Sequence, residues 1–317
     1  EFSIELDPRE VTTEDIEFLR AQGFNRLSLG VQDINPAVQL AVNRIQPFDH
    51  TQEIFEAARA HGFKSISMDL IYGLPKQTPR SFEITLDEII QTRPDRLSVF
   101  NYAHLPQRFK VQKQIKQGEL PSRAEKLDIL RMTIERLSDA GYVYIGMDHF
   151  ARPDDELAMA QANGTLHRNF QGYSTHRDCD LIGLGVSSIG RINDNYAQNH
   201  SRIEDYHRAI DDNTLPIARG LELNADDKLR RAVINELICN FQLDIGAFQN
   251  RHEIEFSSYF APEIERLLVM RDDGLVDMNE SEIRVNQPGR LLVRNICSVF
   301  DLYLRTNNEK TSYSRAI

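Results

Sequence analysis

The sequence is poor in cysteine and has no long apolar run. Its 317 residues include three cysteines, Cys179, Cys239 and Cys297, which lie far apart in the chain. Such an odd and sparse set argues against a disulfide framework and indicates a reducing compartment, so we expect a cytoplasmic protein. No cysteines have the close spacing of a zinc or iron–sulfur site, so we expect no metal ligands in this chain. No apolar stretch approaches the roughly 20 residues of a membrane span, so we expect none.

Positive charge is also scarce. The chain has 37 Lys and Arg residues against 48 Asp and Glu residues, which gives a net charge of −11 and a pI of about 5.4. Because an acidic surface repels phosphate backbones, we expect no nucleic-acid partner. An anionic small molecule is compatible with this composition, since the basic groups inside a pocket decide such binding.

The sequence does contain a regular alternation of strand-like and helix-like segments. This alternation predicts parallel strands joined by right-handed crossovers, in a barrel or an open doubly wound sheet. The strand-like segments are 2–6, 26–32, 65–72, 96–102 and 142–147, and the main helical patterns are 12–23, 50–61, 79–91 and 122–140.

Polar residues stand where each predicted strand ends. Glu5, Gln32, Asp69, Asn101 and His149 are examples, one for each strand. In parallel α/β barrels the active site lies at the carboxyl ends of the strands. Five strands with the same feature therefore predict a functional site at this edge.

The pattern becomes mainly helical after about residue 219, so we predict two domains, 1–218 and 219–317. In the second, capped helical segments surround a short hairpin at 272–285, which resembles a winged-helix arrangement. That arrangement would suit a DNA-binding regulator. The acidic composition favours a structural or lid role instead, and a DNA-binding assay at low salt distinguishes the two.

Two segments between these parts are irregular. The polar stretch 150–178 contains aromatic residues and arginines, and loops of this length are often functional. The Gly183-Leu184-Gly185 triplet lacks the third glycine of a dinucleotide-binding fingerprint. We interpret it as a close approach of the backbone to a ligand or a neighbouring segment.

Six motifs stand out in the sequence: 3–10 (SIELDPRE), 23–33 (GFNRLSLGVQD), 69–75 (DLIYGLP), 98–106 (SVFNYAHLP), 146–151 (GMDHFA) and 168–173 (RNFQGY). They are similar to motifs of oxygen-independent coproporphyrinogen III oxidases, which are radical S-adenosylmethionine (SAM) enzymes of haem synthesis. The similarity covers essentially the whole chain, and the last two motifs are the most specific to the oxidases.

The resemblance implies an α/β fold, a partial (β/α) barrel of the radical SAM type without its first strands, followed by a mostly helical, winged-helix-like domain. It also implies a monomer, a [4Fe–4S] cluster and two SAM molecules. The implied reaction is the oxidative decarboxylation of two propionate side chains of coproporphyrinogen III, which gives protoporphyrinogen IX. A deoxyadenosyl radical abstracts hydrogen, carbon dioxide leaves, and a vinyl group remains.

Motif positions also imply the site residues. A carboxylate suits a ribose diol, and the bidentate fork of an arginine suits a carboxylate. The matching positions are Gln32, Arg44, Asp69 and Ala103 for the second SAM, Glu5 and Ile189 for the first, and Phe170 and Gln171 for activity. The substrate carries four carboxylates, so an acidic protein must place positive charge locally. Our candidates from position and charge are His149, Arg152, His167 and Arg168.

The chain departs from the family in one important respect. The family holds its cluster with Cys-x-x-x-Cys-x-x-Cys, placed before the strand that here begins at Phe2, and this chain has no such spacing. We therefore expect an N-terminally truncated enzyme that is inactive by itself. A related haem-binding chaperone is the alternative. Those relatives show Tyr-Glu-Ile-Ser-Asn where this chain has 144–149 (YIGMDH), and this difference favours the oxidase.

Overall fold

The computed structural model describes residues 1–177 and 179–306. The chain divides into two units between Met159 and Ala160. The boundary lies within the helix Glu156–Ala162, and the sequence-based boundary at residue 218 stays a prediction. No described helix is long and apolar enough to cross a membrane.

The first unit alternates strands and helices, as predicted. Its elements are β1 (Ser3–Leu6), α1 (Thr13–Ala21), β2 (Arg26–Gln32), α2 (Pro36–Ala41), α3 (Phe48–Ala60), β3 (Ser65–Tyr72), α4 (Pro79–Thr92), β4 (Arg96–Asn101), α5 (Arg123–Asp139), β5 (Val143–Gly146), β6 (His149–Ala151) and α6 (Glu156–Ala162). Local signals define the helix starts, because Thr12, Thr78 and Ser122 each accept a hydrogen bond from the backbone three residues on.

The strands of the first unit form one six-stranded sheet in the order β1-β2-β3-β4-β6-β5. Strands β1 to β4 are parallel, which confirms the prediction for them. One face is apolar and buried, with Leu29, Met68 and Leu97 among its side chains. Helices α3, α4 and α5 contribute Ile54, Phe82 and Ile129 to this core.

The sheet differs from the prediction after β4. The segment 142–147 does not pair with β4, because β6 lies between them and runs antiparallel to both neighbours. Positive φ angles at Gly146 (138°) and Met147 (54°) make the tight turn that reverses the chain. His149 is therefore the first residue of a returning strand instead of the end of a parallel one.

The second unit contains short strands and helices. Its elements are β7 (His167–Arg168), β8 (Tyr173–Ser174), β9 (Ile189–Ile192), β10 (Asn195–Asn199), α7 (Ile203–Asp211), β11 (Ile217–Glu222), α8 (Ala225–Asn240), β12 (Gln242–Asp244), α9 (Ile245–His252), α10 (Phe256–Tyr259), α11 (Ala261–Asp272), β13 (Val276–Met278), β14 (Glu282–Val285), α12 (Gln287–Leu291), α13 (Val293–Ser298) and α14 (Leu302–Thr306).

The predicted helix–hairpin–helix pattern is present in the second unit, with two corrections. A third strand, β12, joins the hairpin of β13 and β14. The helical pattern of the sequence over 288–306 predicts one last helix, but the structure has three short helices there, α12, α13 and α14. The glycine-rich segment lies close to a neighbouring backbone segment, which confirms that part of its interpretation. A Cβ on Gly183 would lie 3.0 Å from the carbonyl carbon of Ile189, and one on Gly190 would lie 2.9 Å from the Leu181 carbonyl oxygen.

Candidate active site

The face of the sheet opposite the apolar core is polar. Alternate residues of a strand point to opposite faces, so Gly30, Asp69 and Ser98, which are aligned across β2, β3 and β4, share this face. His149 is aligned with Ser98 and extends the same row. The row thus brings two of the predicted site residues, Asp69 and His149, onto one side of the sheet.

Asp69 is the central acid of this face. Its Oδ2 accepts a 2.7 Å hydrogen bond from the hydroxyl of Ser28 on the neighbouring strand. Burial raises the pKa of Asp69 above its usual value, hydrogen bonds from Ser28 and Ser98 oppose that rise, and the charge of Glu5 adds to it. The sequence pattern did not identify Ser28, since a serine in a strand carries no signal of its partner across the sheet.

Arg44 lies at the carboxyl end of β2. Its Nη1 donates to Asp7 at 2.8 Å, and its Nη2 donates to the Gly30 carbonyl oxygen at 2.8 Å. Among the described residues, its buried Nε has no hydrogen-bond partner. Arg44 is thus held in place with one donor unused.

Gln32 ends β2 in an unusual backbone conformation. Its φ is 67°, and the register with β3 shifts between Gly30 and Gln32. A Cβ on Gly30 would lie 2.8 Å from Gln32 Nε2 and 3.4 Å from Arg44 Nη2, so only glycine permits this close approach. In the described part of the chain, the buried Oε1 of Gln32 has no hydrogen-bond partner.

These three side chains fit a polar ligand. They offer an unused buried acceptor on Gln32, an unused buried donor on Arg44 and a partly desolvated carboxylate on Asp69. Buried polar groups are normally hydrogen-bonded, so unsatisfied ones beside a carboxylate indicate a place for a ligand that both donates and accepts.

Asp33, one of the polar residues at the strand ends, has a structural role. It is buried and accepts hydrogen bonds from Thr85 Oγ1 at 2.8 Å and from Gln77 Nε2 at 2.5 Å. Burial raises the pKa of Asp33, and these donors oppose the rise. Position at a strand end therefore does not by itself make a residue part of the site.

Lys126 contacts the ends of both β3 and β4, and the sequence patterns did not identify it. Its Nζ donates to Asn101 Oδ1 and to the Tyr102 carbonyl oxygen, each at 3.2 Å. Gly73 has a φ of 86°, which explains a glycine there, and a Cβ on it would lie 2.7 Å from Lys126 Cε. The position of that glycine, directly after a strand, is the sequence feature that could have indicated a close contact there. Ala103 follows this segment, is exposed, and accepts a hydrogen bond from Gln112 through its carbonyl oxygen.

The remaining substrate candidate in the first unit is Arg152, which follows the last residue of β6. Because β6 is antiparallel to β4, Arg152 lies at the amino end of β4, away from the carboxyl ends that hold Gln32. Its guanidinium pairs with Asp154 at 3.1 Å and lines a separate cavity of about 480 Å³. The structure does not bring Arg152 together with the polar face.

The second unit carries the other predicted residues. Ile189 begins β9 and is half-buried. Phe170 is 57% exposed and packs edge-on against Tyr196, with 5.2 Å between the ring centroids, and Gln171 is exposed. Arg168 and His167 form β7, where Arg168 lies 4.8 Å from the centroid of the Tyr173 ring and His167 is buried.

The cysteines do not fit an iron–sulfur cluster. Cys239 and Cys297 are buried, and burial raises the pKa of Cys239 to about 12 and raises that of Cys297 as well, which disfavours thiolates. Within 1–177 and 179–306, no three His, Cys, Asp or Glu side chains are grouped to hold a metal ion. The described residues therefore do not supply cluster ligands.

Two family models match the chain. The family model described as the Radical SAM superfamily matches residues 1–89, and the HemN C-terminal domain matches residues 223–292. An oxygen-independent coproporphyrinogen III oxidase of Pseudomonas aeruginosa is 54% identical over 320 residues, which cover 100% of this chain and 69% of the relative. The oxidase of Salmonella typhimurium is 52% identical, with the same coverage of both chains.

The chain belongs to the oxygen-independent coproporphyrinogen III oxidase family. A solved structure from this family, the Escherichia coli coproporphyrinogen III oxidase, matches with a TM-score of 0.94 and 53% identity. The match covers 96% of this chain and 70% of the E. coli chain. It confirms the predicted radical SAM partial barrel with a helical C-terminal domain. The haem-chaperone alternative is not favoured, because these relatives are named as oxidases.

Proposed function

We propose that this protein catalyses the SAM-dependent, oxygen-independent oxidative decarboxylation of coproporphyrinogen III to protoporphyrinogen IX. The observation that carries the proposal is the match of the whole chain, at 52% and 54% identity, to proteins with that name. Membership of the radical SAM superfamily implies SAM and a [4Fe–4S] cluster as cofactors. When bound, SAM supplies the deoxyadenosyl radical that removes hydrogen from a propionate.

The second of two SAM molecules is held at the polar face of the sheet. Asp69 accepts hydrogen bonds from a ribose diol, Arg44 donates to a carboxylate, and the free oxygen of Gln32 accepts from an amino group. The unused buried atoms of Gln32 and Arg44 support this assignment. The other assigned residues are Ala103 for the second SAM and Glu5 and Ile189 for the first.

The porphyrinogen contacts the 168–173 segment. Phe170 and Gln171 face it from this segment, and Arg168 and His149 supply positive or hydrogen-bonding groups. Arg152 has weaker support because it lies at the amino end of β4. We further propose a cytoplasmic monomer, which should sediment as one 36.5 kDa species, and a domain division into 1–218 and 219–317.

SAM binding tests the second-SAM assignment. Titration calorimetry should detect binding of SAM to the chain. Arg44→Ala should weaken this binding by about tenfold or more, as expected for a lost charge-assisted hydrogen bond. Arg9→Ala is the matched control, because Arg9 pairs with the same Asp7 carboxylate but is not assigned to SAM. Equal affinities of the two variants would contradict the assignment.

Activity requires the cluster ligands, so the decisive test joins the three-cysteine segment of a family oxidase upstream of Glu1. Under anaerobic conditions, with SAM and a reductant, this fusion should convert coproporphyrinogen III to protoporphyrinogen IX. A fusion that assembles the cluster and cleaves SAM but leaves coproporphyrinogen III unchanged would refute the proposed function.

A further inference from the structure

A group of positively charged side chains surrounds Glu236 on α8. Arg251 Nη1 lies 3.4 Å and Arg177 Nη2 lies 3.7 Å from Glu236 Oε1, and Asn240 donates to Oε2 at 2.9 Å. The Glu236 side chain is 19% exposed, whereas those of Arg177 and Arg251 are 43% and 55% exposed. One largely buried carboxylate thus anchors two arginines that face solvent.

Two further cationic or titratable side chains lie beside this pair. The Arg168 backbone N–H donates to Asn235, the residue before Glu236, and its guanidinium stacks on the Tyr173 ring. In the described ranges, the buried Arg168 Nη1 has no hydrogen-bond partner. His252 packs on Phe248, with 4.3 Å between the ring centroids. Burial is the largest cause that lowers the pKa of His252. The charges of Arg251 and Arg177 lower this pKa further, and the charge of Glu236 raises it.

The charge of this group is opposite to that of the whole chain. Arg168, Arg177 and Arg251 contribute three positive charges and Glu236 one negative charge, so the group carries about +2 with His252 neutral, whereas the chain carries −11. Each guanidinium has five N–H donors, and the contacts to Glu236 occupy few of them. The remaining donors are available to a carboxylate ligand.

We propose that Arg168, Arg177 and Arg251 bind propionate carboxylates of the tetracarboxylate substrate. The inference rests on the proposed function and identifies the charged groups that recognise its substrate. Guanidinium groups bind carboxylates with two parallel hydrogen bonds, which a flexible ammonium group does not reproduce. Tyr173 orients Arg168, and Glu236 holds the other two arginines side by side.

The experiment measures binding of coproporphyrin III, the stable oxidised form of the substrate, by fluorescence titration of the chain. Arg177→Gln/Arg251→Gln should weaken binding at least about tenfold, because two charge-assisted contacts are lost. The control is Arg202→Gln/Arg208→Gln, since these exposed arginines also share one carboxylate, that of Asp205, and should leave affinity unchanged. The Arg177→Gln/Arg251→Gln substitution should weaken the binding of protoporphyrin IX, which has two carboxylates, less than it weakens the binding of coproporphyrin III.

Glu236→Gln separates ligand binding from a purely structural role. It removes the only negative charge of the group, so affinity for coproporphyrin III should rise if the arginines bind carboxylates. An unchanged affinity would mean that the arginines serve only to hold Glu236, and would overturn the inference. Arg177→Lys/Arg251→Lys keeps the charge and serves as a control for misfolding of the glutamine variant. Its affinity for coproporphyrin III should lie between those of the unaltered chain and the Arg177→Gln/Arg251→Gln variant.

Two outcomes overturn the inference directly: no binding of coproporphyrin III by the unaltered chain, or equal binding by the Arg177→Gln/Arg251→Gln variant. Neither outcome affects SAM binding or turnover by the cysteine-bearing fusion. Failure of the inference is therefore distinguishable from failure of the proposed function.

Discussion

The hydroxyl of Ser28 on β2 donates a 2.7 Å hydrogen bond to the carboxylate of Asp69 on β3. This bond crosses between two strands and orients a partly desolvated acid on the polar face of the sheet. The pKa of this carboxylate reflects opposing effects, since burial raises it and each hydrogen bond lowers it.

Asp69→Asn should separate stability from ligand binding. Because burial raises the pKa of Asp69, its ionised form destabilises the fold at neutral pH, and the amide removes that charge. The substitution should therefore increase the free energy of unfolding at neutral pH, which raises Tm. SAM affinity should fall, since the amide carries no charge and replaces one accepting oxygen with an NH2 donor.

The pH dependence of this gain has a defined sign. The stability gain of Asp69→Asn should shrink as the pH falls through the raised pKa of the folded state. It should vanish below about pH 4, because there the Asp69 carboxyl is protonated in the unfolded chain as well. Thermal unfolding at several pH values measures it. A gain that grows as the pH falls would contradict the burial argument.

Gly30→Ala should weaken SAM binding without unfolding the protein. The added Cβ would lie 2.8 Å from Gln32 Nε2 and 3.4 Å from Arg44 Nη2, so both side chains must move. We expect an affinity loss of about tenfold, since hydrogen bonds depend steeply on geometry. Gly118→Ala is the control, because no atom lies within 4 Å of its added Cβ. Unchanged SAM affinity in Gly30→Ala would contradict the prediction.

Asp33→Ala should destabilise the first unit. The substitution removes an acceptor from the buried hydroxyl of Thr85 and from one N–H of Gln77, whose other N–H donates to the Ile71 carbonyl oxygen. We expect a loss of about 2–4 kcal/mol in the free energy of unfolding, measured by urea denaturation. Asp128→Ala, at an exposed helix position, should change it by less than about 0.5 kcal/mol. Similar values for the two variants would rule out this structural role.

The pKa of Asp7 provides a further test. A hydrogen bond from Arg9 is the largest cause that holds the pKa of Asp7 at about 2, and the charge of Arg44 contributes. Because this pKa is depressed, its stabilising contribution is complete above about pH 4 and is lost as the pH falls towards 2. Arg9→Ala should raise the pKa in a carboxyl NMR titration, whereas Arg80→Ala should not. An unchanged value in Arg9→Ala would refute the assignment to Arg9.

Helix starts were predictable from the sequence alone. Thr12 and Asp15 form a capping box, and Asn224 and Asp227 form another. Such a motif needs only residues three positions apart, so the signal lies within one turn of chain. The sequence pattern did not reveal the break of the last helix into three.

The candidate site was only partly predictable. Strand ends and family motifs named Gln32, Arg44 and Asp69, but a strand-end position did not separate Asp69, on the polar face, from the buried, structural Asp33. Ser28 and Lys126 escaped because their partners are distant in sequence. Which face a side chain occupies, and what lies across the sheet from it, depends on register.

The sequence by itself determined the family, the alternation of strands and helices and the motifs that name the site, because these depend on residue identity and local spacing. Only the tertiary structure decided that His149 lies in the row of Asp69 while Arg152, three residues later, lies at the opposite end of the sheet. It also decided that Arg177 and Arg251 share Glu236. The physical reason is the same in both cases: hydrogen-bonded pairing and side-chain packing join residues whose separation in the sequence carries no signal.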